Sequence, residues 1–354
     1  MLVMKARMLN LQPHLRAGGL LLLLLVLRLG LTTARADAIS ELASFSIFDK
    51  VDLAQLAKSD VKTAHGPPMN NPRFLAVQSC YVAPGSSPAQ QIQALRQWDA
   101  TRHRELKVFL HSDLPSNPTP ANFEKLKNAP NNASVRSFVT TTEKPGPALQ
   151  ISKEEAKKLS AGGGGGGTIP GSVATFWTDV LTARTKSFVS GGMSAQPPYD
   201  YAGPSVRASD EVNGLLREQG KIRNQFSGLL GATAIGRGAG SLKPESYWEL
   251  LDVDDQGVVT LGASYNRAGA GGTYQAADVL YYASGGYYVA LTLYQLWPVT
   301  VDGKPSTLVW RGDMISAASL GTLHGVERLG SESVMMKNIT KAVTLFRRDT
   351  SGGR

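Results

Sequence analysis

Apolar residues alternate with a period of two from Ser246 to Met314, the spacing of strands that bury one face. Residues 247–253 and 258–265 flank Asp254-Asp255-Gln256-Gly257, which predicts a hairpin. Residues 273–282 and 287–297 flank Ser284-Gly285-Gly286, and the second of these meets 306–314 across Asp302-Gly303, a two-residue turn signature. With Asp302-Gly303 as the loop, Leu291, Leu293, Gln295 and Trp297 share a face with Met314, Gly312, Trp310 and Leu308. Carried back through the glycine turn, that face also takes in Tyr282, Leu280, Asp278, Ala276 and Tyr274. A final helix is expected from about Ser319 to Arg347. Met335, Ile339, Ala342 and Phe346 lie on one side of it and Lys337, Lys341 and Arg348 away from it, while Gly325 and Gly330 weaken its first half. A sheet with one apolar face followed by an amphipathic helix predicts that one closes over the other.

Earlier in the chain, residues 74–82 (FLAVQSCYV) read as a strand ended by Pro84-Gly85. Ser87, Pro88 and Gln90 then open a helix with a capping box, and Ile92, Leu95 and Trp98 supply its stripe. Residues 61–63 and 106–111 read as extended. Residues 112–245 are rich in Pro, Asn, Ser and Gly. Thr119-Pro120 and Ser152 with Glu155 each open a short helix. Two stronger helices follow, one on Val173, Phe176, Trp177, Val180, Leu181 and Phe188, the other running from Val212 to Leu230. The run 162–167 is six glycines, the composition of a tether. The expected organisation is a leader (1–36), early strands and helix of the main domain (37–111), a mainly helical insertion packed beside it (112–245), the sheet and C-terminal helix (246–347), and a disordered tail (348–354).

The leader changes the charge argument. Lys5, Arg7 and Arg16 precede an apolar run over 20–27, and Ala34-Arg35-Ala36 offers a cleavage site before Asp37. Arg28 interrupts the run well short of a membrane span. The pattern predicts a secreted or periplasmic protein cleaved near Ala36; an uncleaved anchor is the competing reading. The whole chain of 354 residues carries 37 basic and 28 acidic residues, net +9. Five of the basic residues belong to the leader, so the remainder has 32 against 28, a net of +4. The rest is scattered and lacks stacking aromatics, which argues against a nucleic-acid partner. Cys80 is the one cysteine, so no internal disulfide forms, and its apolar surroundings predict a buried, inert thiol.

Motif chemistry is sparse. The stretch from Gly231 to Gly238 has phosphate-loop glycine spacing without the Lys and Ser/Thr that contact phosphate. Asp252 to Ala263 lacks the Glu that closes a calcium loop. Arg311-Gly312-Asp313 lies inside an expected strand, where an adhesion role is obstructed. If residues 103–111 are extended, His103, Glu105, Lys107, Phe109 and His111 share a face, a lone His-x-Glu without a third ligand. No catalytic residue, metal or cofactor is assigned. Asp278 and Gln295 are the polar exceptions on the shared apolar face. They are either solvated near the sheet end or the polar anchors of a pocket.

The order of strand, capped helix, antiparallel meander and terminal helix resembles the START-like, or polyketide-cyclase-like, helix-grip superfamily. DVKTAHG…FLAVQSCYVAPGSSPAQQIQAL looks like the opening of such domains, and SVMMKNITKAVTLFRR resembles their closing helix. The resemblance is one of pattern over about residues 60–111 and 246–347, and it departs from the superfamily by the insertion of residues 112–245. It implies an α+β fold in which an antiparallel sheet wraps the C-terminal helix around an apolar cavity. The leading expectation is an exported, non-enzymatic protein holding a hydrophobic or lipid-like molecule, with Tyr274, Asp278, Leu280, Tyr282, Leu291, Leu293, Gln295, Trp297, Trp310 and Met314 lining the site. The alternatives are an envelope interaction module with a filled core, binding a protein partner through the insertion, and a cyclase- or hydrolase-type enzyme using the same cavity.

Overall fold

The structure, a computed structural model, describes residues 38–58, 61–159, 168–236, 238 and 240–351. The expected leader, the glycine run and residues 352–354 lie outside the described residues.

A helix over residues 38–45 (α1) and α2 (Leu53–Lys58) lead into the hairpin of β1 (Lys62–His65) and β2 (Phe74–Pro84). Helix α3 (Pro88–Gln97) starts as its sequence predicts: Ser87 accepts from the Gln90 N–H while the Gln90 side chain takes the Ser87 N–H. After β3 (Val108–Leu114) the chain leaves the sheet through a 3₁₀ segment, Pro120–Asn128. It continues through α4 (Ala133–Glu143), α5 (Lys153–Ala156), α6 (Gly171–Gly191), α7 (Ala208–Glu218), α8 (Gly220–Gln225) and α9 (Ser227–Ala232). It returns as the meander β4 (Glu245–Val253), β5 (Gln256–Ala268), β6 (Tyr274–Ala283), β7 (Tyr287–Val301) and β8 (Lys304–Ala317). Helices α10 (Ala318–Thr322) and α11 (Gly325–Ser351) close the chain.

The eight strands form one antiparallel sheet in the order β1-β2-β8-β7-β6-β5-β4-β3. The fold is α+β, with a long C-terminal helix on one side of the sheet. Because β3 pairs with β4, the insertion leaves and re-enters at one edge. Its helices do not sit beside the main domain. Trp177, Phe188, Leu215 and Phe226 join Cys80, Leu291, Trp297 and Trp310 of the sheet in one buried cluster. The insertion is therefore a layer of the core, and α3 with α11 form the layer on the opposite face.

Three sequence expectations change. The helix expected over 212–230 is three short pieces, because Gln219 and Phe226 leave helical geometry. The final helix breaks at Leu323 and His324, with Gly325 at φ +53°, and then continues through Ser351 rather than entering a tail at 348. Residues 104–106 are a 3₁₀ turn and Lys107 is left-handed, so His103 and Glu105 do not share a strand face with His111.

The face of the sheet under the insertion is packed solid at its centre. Trp310 lies flat over Gly312, where a methyl group would meet its ring at 2.4 Å. Phe45 of α1 approaches the Trp310 ring edge-on at 4.9 Å and Phe226 packs at 5.6 Å. The indole N–H donates to Gln78 Oε1 at 3.1 Å. Burial with a satisfied polar atom makes Trp310 a core residue. Trp310→Ala is expected to lower unfolding free energy by about 3–5 kcal/mol in urea titrations; a loss below about 1 kcal/mol would show that the residue borders empty space.

Candidate ligand-binding face

The register of β6 against β7 decides which residues can form a site. Leu280 pairs with Ala290, Asp278 with Thr292 and Gln275 with Gln295. The sequence expectation placed Leu280 and Asp278 on the face of Leu291 and Leu293; the observed pairing puts them on the opposite one. The turn between the two strands holds an odd number of residues, and a one-residue slip moves every side chain across the sheet. The expected β7–β8 register is the observed one, with Val301 opposite Lys304 and Gln295 opposite Trp310.

The expected lining is thus divided. Leu291, Leu293, Gln295, Trp297, Trp310 and Met314 face the insertion and are buried there. Tyr282 joins them by a different route. A bulge in the β5–β6 pairing separates Leu261–Tyr282 from Gly262–Leu280, so Tyr282 turns to the insertion, stacks on Arg184 at 4.1 Å and donates to the Gln150 carbonyl. Gln295 is held in a buried amide network, accepting from Gln275 at 2.8 Å and Gln225 at 3.3 Å. Only Tyr274, Asp278 and Leu280 lie on the face towards α11. Asp278 and Gln295 are therefore not paired anchors of one pocket.

Around Asp278 the α11-facing side gathers a set of polar groups the sequence reading did not collect. Ser264 on β5 and Thr292 on β7 are its cross-strand neighbours, and Thr292 in turn faces Asp313 on β8. Tyr247 of β4 sits opposite Gly262 and lies across it, since a methyl there would fall within 2.1 Å of the ring. This lets the Tyr247 hydroxyl reach over β5 and donate to Asp278 Oδ1 at 2.7 Å. Ser264 donates to the other carboxylate oxygen. Arg311 grips Asp313 with two nitrogens, at 2.6 and 2.8 Å, while lying over the Tyr294 ring. At the far edge His111 bonds Glu249 at 3.1 Å and packs against Tyr247. The period-two rule applied from the correct register would have found them all, because each is two residues from, or directly across from, another.

Environment sets the protonation of this face. Burial pushes the Asp278 carboxyl up, and the hydroxyls of Ser264 and Tyr247 offset this in part. Burial and the adjacent Asp278 hold the Tyr247 phenol well above its ordinary value. Tyr294 is raised to about 12, chiefly by burial, with Arg311 opposing. The Glu249 hydrogen bond raises His111. On the opposite face, burial raises the Cys80 thiol to about 12, which keeps it protonated and unreactive.

The side chains of Tyr247, Ser264, Asp278, Thr292, Tyr294 and Arg311 are neither sealed nor free; each is half-buried. Helix α11 packs over the β1–β2 end through Met335, Ile339, Val343 and Phe346, against Val77, Tyr81, Val309 and Ile315. The row therefore lies beside the helix and not beneath it. A separate cavity of about 260 Å³ opens at the end of the sheet among Leu149, Tyr199, Tyr201, Val258 and Tyr288. Among the described residues, no cluster of three or more His, Cys, Asp or Glu is arranged to hold a metal ion, and no helix is long and apolar enough to cross a membrane.

No protein-family model and no curated protein matches the chain. Among solved structures it is similar to human STARD10, at 5% identity and a TM-score of 0.34, over 83% of this chain and 70% of that one. A likeness this loose carries no argument about ligand or activity.

Raised by Glu249, His111 contributes stability that is complete below about pH 6.5 and is lost as the pH rises through its folded-state value. An NMR titration of the His111 ring is expected to show a midpoint above 6.5 that falls back in Glu249→Gln. An unchanged midpoint in that variant would contradict the pairing.

Proposed function

We propose that the protein is exported and holds an apolar small molecule with a polar end, without turning it over, on the sheet face beside α11. One observation supports this reading above the others: Asp278 and its neighbours lie half-buried in the middle of a broad sheet, where polar groups are rare unless something meets them. Leu280, Ala290 and Tyr274 on the sheet, with Met335 and Ile339 on α11, offer the apolar wall such a molecule needs. The packing of Trp310 against Phe45, Phe226 and Gly312 supports placing the site on the α11-facing side instead.

Native mass spectrometry of protein purified from the cell envelope is expected to show a co-purifying apolar compound. Asp278→Asn should melt within a few degrees of the parent and change the retained fraction, because the replaced carboxylate has hydroxyl partners and no buried cation that would be stranded. A bare protein, with no melting shift when a long-chain amphiphile is added to either form, would end the binding reading. Export is tested separately. The mature chain should begin near Asp37, and a chain retaining residues 20–27 would establish an anchor instead.

A second reading has its own support. Val326, Leu329 and Val334 on the first half of α11 are 85%, 66% and 52% exposed, an apolar surface suited to a protein partner in the envelope. Capture of a partner that is lost in Val326→Asp/Leu329→Asp would favour it.

A further inference from the structure

Taking the proposed α11-facing site as given, we infer that its occupant carries no negative charge at its polar end. Arg311, the one guanidinium in the row, is closed in a two-pronged pair with Asp313, whose Oδ1 also takes the Thr292 hydroxyl at 2.9 Å. His111 is closed on Glu249. At the rims, Arg328 pairs with Glu332, Arg96 with Glu245, and His103 with Asp349. The lysines of α11 at 337 and 341 lie exposed, away from the Met335–Ile339 side that meets the sheet. Arg347 of α11 donates to the Leu56 and Ala57 carbonyls. Each of these cations is thus engaged by a carboxylate or by backbone carbonyls, or turned away.

The carboxylates are not balanced in the same way. Asp278 has only hydroxyl partners. Ionised, it repels a second anion at close range. Protonated, as its burial favours, it leaves the row with no net charge. In neither state do the described residues of the face supply the counter-charge that a carboxylate or phosphate needs when it leaves water. What it does supply suits a hydroxyl, carbonyl or amine: the oxygens of Ser264, Thr292 and Tyr294, and the Asp278 carboxyl itself.

Displacement of Nile red, a neutral apolar fluorophore, separates this inference from the reading it rests on. Monoolein, oleylamine and oleate share one chain and differ in the charge of the head. Monoolein and oleylamine should displace Nile red at concentrations at least about tenfold below oleate, a small fraction of the repulsion between like charges at a half-buried site. Asp313→Asn frees Arg311 and should move oleate towards monoolein by a similar factor. Where that variant fails to fold, the order of the three heads on the parent protein decides. Oleate equal to or tighter than monoolein overturns the inference and leaves the site standing. Absence of Nile red binding, with no displacement by any head, overturns both.

Discussion

A single pairing, Leu280 opposite Ala290, governs this molecule. It assigns each residue of β6 to a face, and through β6 it sets which groups of β5 and β4 can meet those of β7 and β8. Had the turn one residue more or fewer, Asp278 would face the aromatic core under the insertion, away from Ser264 and Thr292. As it stands, that side keeps its aromatic and aliphatic side chains, and the polar groups collect on the other. The two layers that cover the sheet follow this division: a dense one of insertion helices and α1, and a partial one of α3 and α11.

Two glycines make the division workable in detail. Gly312 lets Trp310 lie down on the core face, and Gly262 lets Tyr247 lie down on the other. Each aromatic ring covers the bare backbone of a neighbouring residue or strand and places its polar atom at a distant partner, Gln78 in one case and Asp278 in the other. The same device serves packing on one face and the polar row on the other. Whether an aromatic side chain in this sheet is core or site depends on what lies beyond the glycine.

The helical insertion has a corresponding role. Its buried ion pair, Arg184 with Glu155, is braced by the rings of Tyr282 and Tyr199 and by the Pro197 carbonyl. A pair so buried adds little net stability but is costly to break, so it favours one placement of α6 over others. That placement fills the core face and leaves α11, with its exposed first half, as the less constrained cover.

Strand order in the meander, the Asp302-Gly303 hairpin, the capping boxes at Ser87 and Ser152, and the inert Cys80 were all legible in the sequence, because each rests on contacts within a few residues or on a single burial pattern. Of the proposed site, only Asp278, Tyr274 and Leu280 were legible. A glycine turn of uncertain parity hides the face of every strand before it, and a bulge such as that at Leu261 and Gly262 reverses the face once more. Alternation along one strand is a local property that sequence determines; which face meets which layer is a relation between strands. That relation was decided only when β6 docked on β7 and the insertion chose its side of the sheet.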